Sequence, residues 1–90
     1  MNTLCRQNSS VESAALEQET ILFHSPTNKF YVLNSTSSFI WSRIKEPATP
    51  NQIAEDLGRN FQGVIADDAS RDVENTIQEM LALGLAEAAQ

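Results

Sequence analysis

The apolar residues of this chain change their spacing near its middle. Up to Leu33 they fall in short runs bounded by polar and turn residues, whereas from Phe39 onward they recur at helical intervals. The first pattern predicts strands and the second helices. Val11, Ala14, Ala15 and Leu16 predict a first strand, with Glu17-Gln18 as a tight connection. Ile21, Leu22 and Phe23 are consecutive apolar residues between Thr20 and His24, and they predict a second strand covered on both faces. Ser25-Pro26-Thr27-Asn28 carries turn chemistry, because Pro presets φ and Asn tolerates the left-handed conformation. A third strand over Lys29 to Leu33 then returns as a hairpin partner. Three short strands with short links make an antiparallel meander, whose third strand is an open edge unless something else pairs with it.

The change of period falls at Leu33-Asn34. Phe30 to Leu33 suit a half-buried pleated strand, and Asn34 followed by small hydroxyl residues suits a helix start, so strand runs directly into helix. Phe39, Ile40, Trp41 and Ile44 give that helix its apolar face, and Pro47 is its expected stop. Trp41 is read as a core residue. Thr49-Pro50-Asn51-Gln52 meets the capping-box rule, with Pro at the first helical position where its missing N–H does no harm. Ile53, Ala54, Leu57 and Phe61 continue the second helix toward Gly63. Asp67 is the expected cap of a third helix with Asp68 in its first turn, and Ala69, Val73, Ile77, Met80 and Leu81 form its buried stripe. Gly84-Leu85 reads as a Schellman end. The architecture is therefore a small α+β, winged helix-turn-helix-like domain: a three-stranded antiparallel sheet followed by three helices. It is expected to span residues 10–87, after a loose tail at 1–9 and before a frayed end at 88–90, because both ends are poor in large apolar residues.

Composition narrows the function. Ninety residues allow one domain with a small core. The formal charge of −6 opposes nucleic acid and anionic lipid, and the expected third helix sets Asp67, Asp68, Asp72, Glu74 and Glu79 against a single Arg71. A neutral or cationic partner fits better. Cys5 is the sole cysteine, so no intramolecular disulfide and no four-ligand Cys/His zinc site can form. His24, the sole histidine, reads as a partly exposed strand residue, and a Cys-His pair would require the tail to reach it. Asp67-Asp68 reads as capping rather than acid–base chemistry. With no Gly-rich phosphate loop, no metal site and no cofactor expected, catalysis is not expected. There is no signal-like start and no apolar run of ~18 residues, so the expected compartment is the cytoplasm, away from any membrane.

Several signals in one order carry a family resemblance: Glu19 entering an apolar strand, then Tyr31-Val32-Leu33-Asn34-Ser35-Thr36, Trp41, the capped helix from Thr49, Asp72-Val73, and the closing Gly84-Leu85. From about Val11 to Leu85 the chain resembles the PqqD-like proteins, the leader-peptide recognition elements of ribosomally synthesised and modified peptide pathways. Such relatives often carry Pro at position 35 and Gly or Ala at 37, where this chain has serines, which a first helical turn accepts. The resemblance implies a non-enzymatic protein that binds a precursor's leader peptide between its third strand and third helix. It implies as partners the leader and a modifying enzyme, either a radical-SAM enzyme or the peptidase or cyclase of a lasso-type pathway.

An uncovered third strand gives that role a physical basis, since an extended peptide can pair with its free backbone groups. Lys29, Phe30, Tyr31, Val32 and Leu33 are then the expected pairing residues. Val73, Thr76, Ile77 and Met80 are the expected apolar wall unless they line the core, which suits Val73 and Ile77 equally well; Thr76 and Glu79 lie toward the flank and are the better specificity candidates, and Asp72 or Glu79 is available to a leader Lys or Arg. The alternative is a general protein-interaction or homodimerisation module using the same edge, although a monomer is expected over a dimer. An acidic winged-helix regulator ranks below both.

Overall fold

The computed structural model of the chain describes residues 4–60 and 66–89, apart from the side chains of 60 and 66–68. In chain order the elements are β1 (Cys5–Gln7), β2 (Val11–Ala15), β3 (Thr20–His24), β4 (Lys29–Leu33), α1 (Ser35–Arg43), α2 (Pro50–Asn60), α3 (Ala66–Ala82) and β5 (Ala86–Ala88). Strands β2, β3 and β4 form the expected antiparallel meander in that spatial order, with β3 central and β4 at an edge. Three helices follow, so the chain is a small α+β domain. Asn28 closes the β3–β4 turn at φ 60°, the left-handed conformation that its short polar side chain tolerates.

The helix boundaries follow from side-chain chemistry. Asn34 Oδ1 accepts from the Ser37 N–H at 2.9 Å, satisfying one of the first-turn amides that have no intrahelical partner. Helix α1 ends at Arg43 with Ile44 as its C-cap, ahead of Pro47. At the start of α2 the capping box is reciprocal: the Gln52 N–H donates to Thr49 Oγ1 at 3.2 Å, and the Thr49 N–H donates to Gln52 Oε1 at 3.0 Å. Helix α3 begins at Ala66, so Asp67 lies inside the helix rather than at its cap position. Phe61 and Gly63, read as the end of α2, lie outside the described residues. At the far end Gly84 takes φ 76°, its N–H bonds to Leu81 O at 3.2 Å, and the Leu85 N–H bonds to Met80 O at 2.8 Å, the two bonds of a Schellman motif.

The core lies between the inner face of the sheet and the helices. Leu22 and Leu33 from the sheet meet Ile40, Trp41 and Ile44 from α1 and its C-cap, Ile53 and Leu57 from α2, and Val73, Ile77 and Met80 from α3. Each fully buried aliphatic side chain of this kind contributes ~1.5–3 kcal/mol. Trp41 is only 4% exposed, and its Nε1–H is buried with no hydrogen-bond partner among the described residues.

Four further expectations are corrected. The loose tail is instead strand β1 over Cys5–Gln7, antiparallel to β5, and it replaces the frayed end as well: Arg6 faces Glu87, and the Ala89 N–H bonds to Leu4 O at 2.8 Å. The cause is pairing between the two ends of the chain, reinforced by a two-bond bridge of Cys5 with Ala48 (2.8 and 3.0 Å) and by the Gln7 N–H bonding to Ile44 O at 2.9 Å. Cys5 is therefore fully buried, and desolvation raises its thiol pKa above the ordinary value. His24 is buried rather than partly exposed, because its ring lies on the inner face of β3, with Nδ1 2.6 Å from Thr27 Oγ1 and Nε2 close to Gly84. Strand β3 is covered on one face only: Thr20, Leu22 and His24 are buried, whereas Ile21 and Phe23 on the other face are half-buried.

Candidate functional site

The site follows from the phase of the β-ladder. In the β2–β3 pair the Ser25 N–H donates to Ser10 O at 3.3 Å and the Leu16 N–H donates to Glu19 O at 2.8 Å. Within an antiparallel pair such hydrogen-bonded positions alternate with non-bonded ones, so Ile21 and Phe23 turn their backbone groups toward β2, and Thr20, Leu22 and His24 turn theirs toward β4. The register of β4 sets Leu33 opposite Thr20, Tyr31 opposite Leu22, and Lys29 opposite His24. Lys29, Tyr31 and Leu33 therefore use their N–H and C=O groups on β3. Phe30 and Val32 point theirs out at the open edge, where no strand pairs among the described residues.

Side chains and backbone of β4 thus divide the work. Tyr31 and Leu33 point inward, half-buried and buried, and line a groove beside the edge. Phe30 and Val32 point to the outer face of the sheet, 69% and 64% exposed, and the ring of Phe30 rests on Phe23 with centroids 4.8 Å apart. Both faces of this strand are apolar, as its composition predicts.

The groove is about 470 Å³ and lies between β4 and α3, which packs closely on α2 but stands off from β4. Tyr31, Val32 and Leu33 form one wall, and Asp72, Asn75, Thr76, Glu79 and Met80 form the other. Asn34, Thr36 and Ser37 close one end at the start of α1, and Leu83 and Leu85 line the groove beyond the end of α3. The two walls run in opposite directions: Gly84, after α3, abuts His24, whose strand partner Lys29 begins β4.

Of the residues that the sequence picks out, the structure brings Tyr31, Val32, Leu33, Asp72, Thr76, Glu79 and Met80 to this groove. Val73 and Ile77 are fully buried core residues behind the wall and do not line it, and neither do the side chains of Lys29 and Phe30. Asn75, Thr36, Ser37, Leu83 and Leu85 line the groove without having been expected to. Helical spacing carries the signal for Asn75, which shares the face of Asp72, Thr76 and Glu79. The Schellman motif carries it for Leu85, since an apolar residue after the terminal Gly turns back onto the helix end. Nothing local marks Thr36 and Ser37.

Asp72 and Glu79 are exposed, and neither forms an ion pair among the described residues. No group of three or more potential metal-ligating side chains occurs among the described residues. None of their helices is long and apolar enough to cross a membrane.

A sheet edge left open beside such a groove is one that an extended chain can join by strand addition. The family model for Coenzyme PQQ synthesis protein D (PqqD) matches residues 19–86, and the chain belongs to that family. Among solved structures it is similar to TbiB1 in complex with the TbiA(beta) leader peptide, with 24% identity over 94% of this chain and 98% of that one, and a TM-score of 0.84. It is also similar to a lasso peptide synthetase B1 complexed with the leader peptide, with 22% identity over 92% and 96% of the two chains, and a TM-score of 0.80. No curated protein sequence matches the chain.

Proposed function

We propose that this protein binds the leader peptide of a ribosomally made precursor as a strand added antiparallel to β4, and presents it to a modifying enzyme or leader peptidase. The observation that carries this reading is the pair of outward backbone positions, Phe30 and Val32, beside a groove whose far wall is α3. Backbone pairing supplies general affinity, and the leader's groove-facing side chains meet Tyr31, Leu33, Thr76, Met80, Leu83 and Leu85. Both solved relatives are complexes with a leader peptide, which supports the same reading. The role is binding rather than catalysis, and what supports it is that the sole histidine and the sole cysteine are both buried. The enzyme partner is a radical-SAM enzyme, or the peptidase or cyclase of a lasso-type pathway, and the setting is the cytoplasm, where a precursor leaves the ribosome.

Amide shift mapping with the leader of a precursor found among the neighbouring open reading frames tests the reading. Changes are expected on residues 29–34 and on Asp72 to Met80, with little change in α2. Shifts centred on Thr49 to Asn60 with 29–34 silent would sink it. The open edge also suits a second copy of the chain, and light scattering across concentration separates the two: a monomer that binds peptide supports leader recognition, a tight dimer supports self-pairing.

A further inference from the structure

From the charge of the groove we infer that its ligand is a cationic peptide, with Lys or Arg side chains directed at Asp72 and Glu79; this rests on the strand-addition reading. Among the residues that line the groove these two carboxylates are the charged groups, and none is Lys or Arg. Of the basic side chains elsewhere, Arg6 pairs with Glu87, and Arg43 and Arg59 pair with Asp56, all away from the groove. A ligand carboxylate lying along this wall would meet two like charges and no cation among the lining residues, whereas a Lys or Arg would meet charges that form no ion pair among the described residues.

The directions of the elements set where those cations fall. Because α3 and β4 run oppositely along the groove, a strand antiparallel to β4 runs in the same direction as α3 and passes Asp72 before Glu79. Seven residues of helix at 1.5 Å rise separate the two carboxylates by roughly 10 Å along the axis. Groove-facing positions on a strand recur every ~7 Å, so two basic residues two or four positions apart bring both charges within reach of flexible Lys or Arg stems. With four-residue spacing, the side chain between them falls over Thr76 and Met80, the less polar middle of the wall.

Selection from a random dodecapeptide display library against the intact chain tests this, using wild type, the D72N/E79Q double variant and Val32→Pro. Wild type should enrich peptides with two Lys or Arg in that spacing, and these peptides should bind the double variant roughly fivefold more weakly and lose affinity with added salt. The double variant should enrich apolar peptides without the basic bias. Enrichment of neutral or acidic peptides that still fail on Val32→Pro would overturn the charge inference and leave strand addition standing. Enriched peptides indifferent to Val32→Pro, or no enrichment at all, would overturn the strand-addition reading and the inference with it. Circular dichroism of each variant confirms that the fold is intact.

Discussion

The sheet has two edges, and they differ in what stands beside them. Among the described residues strand β2 and strand β4 each pair with β3 on one side only, so each leaves backbone groups open on the other, although the Val11 N–H of β2 is bonded to Asn8 O at 3.0 Å. Along β2, Glu12, Ser13, Ala14 and Ala15 are exposed, and a charge sits near its middle, a common way for an edge to discourage pairing. Along β4, Tyr31 and Leu33 turn inward, and α3 supplies an opposite wall across the groove. Free backbone is thus common to both edges, and β4 also has a groove along it with α3 as the facing wall. Peptide recognition on this scaffold is a property of the groove as much as of the edge.

The largest disruption removes the support that both edges share. Trp41→Ala deletes a buried aromatic and should cost ~3–5 kcal/mol of unfolding free energy in denaturant titration. Trp41→Phe, which also deletes an Nε1–H with no partner among the described residues, should cost distinctly less. A midpoint for the alanine variant close to wild type would mean that Trp41 is not a core residue.

Proline scanning sharpens the contrast between the edges. At Val32, whose N–H points outward, Pro should weaken leader binding about tenfold or more while the β3–β4 hairpin persists, as one or two ladder bonds to the ligand are lost. At Tyr31, whose N–H is used on β3, Pro should damage the hairpin itself and lower the thermal midpoint. At Ser13, outward on β2, Pro should leave leader affinity unchanged. Equal loss of binding from Ser13→Pro and Val32→Pro would erase the distinction drawn between the edges, as read by calorimetric titration.

Caps provide a smaller test of the same contrast. Asn34→Ala and Thr49→Ala should each cost about 1 kcal/mol, since each removes a first-turn acceptor. Only Asn34→Ala should also weaken leader binding, because α1 begins at the end of the groove whereas the start of α2 lies elsewhere. The smallest effect is expected at β1. The buried Cys5 thiol holds its proton to higher pH than an exposed thiol, owing to desolvation. Below the ordinary thiol range both folded and unfolded chains are protonated and the group adds no pH dependence. Above it the unfolded chain ionises first, so stability should fall with rising pH in wild type and less so in Cys5→Ala, with leader affinity alike in the two.

What could be read from the sequence was what local chemistry dictates. Turn residues, the Asn34 cap, the Thr49–Gln52 box and the Gly84 stop each act over a few residues, and all are present in the structure. The ladder phase could not be read, and so Phe30 and Val32 could not be separated from Tyr31 and Leu33 by backbone direction before the register was known. Strands β1 and β5 stayed hidden for a different reason. Cys5-Arg6-Gln7 and Ala86-Glu87-Ala88 lack the apolar run of a strand and pair only because the ends of the chain meet. The burial of His24 is not legible locally, because the chain that abuts its ring at Gly84 lies sixty residues further on. On α3 the apolar stripe was legible, but the helical period alone did not separate Val73 and Ile77, sealed in the core, from Thr76 and Met80 on the groove.

Hydrogen exchange at single amides tests the central claim most directly. With saturating cognate leader, the Phe30 and Val32 amides should become strongly protected, Tyr31 should change little because it is already bonded to β3, and Ser13 and Ala15 on the other edge should not change. Protection appearing on β2 or within α2, with Phe30 and Val32 exchanging as fast as in the free protein, would contradict strand addition at β4.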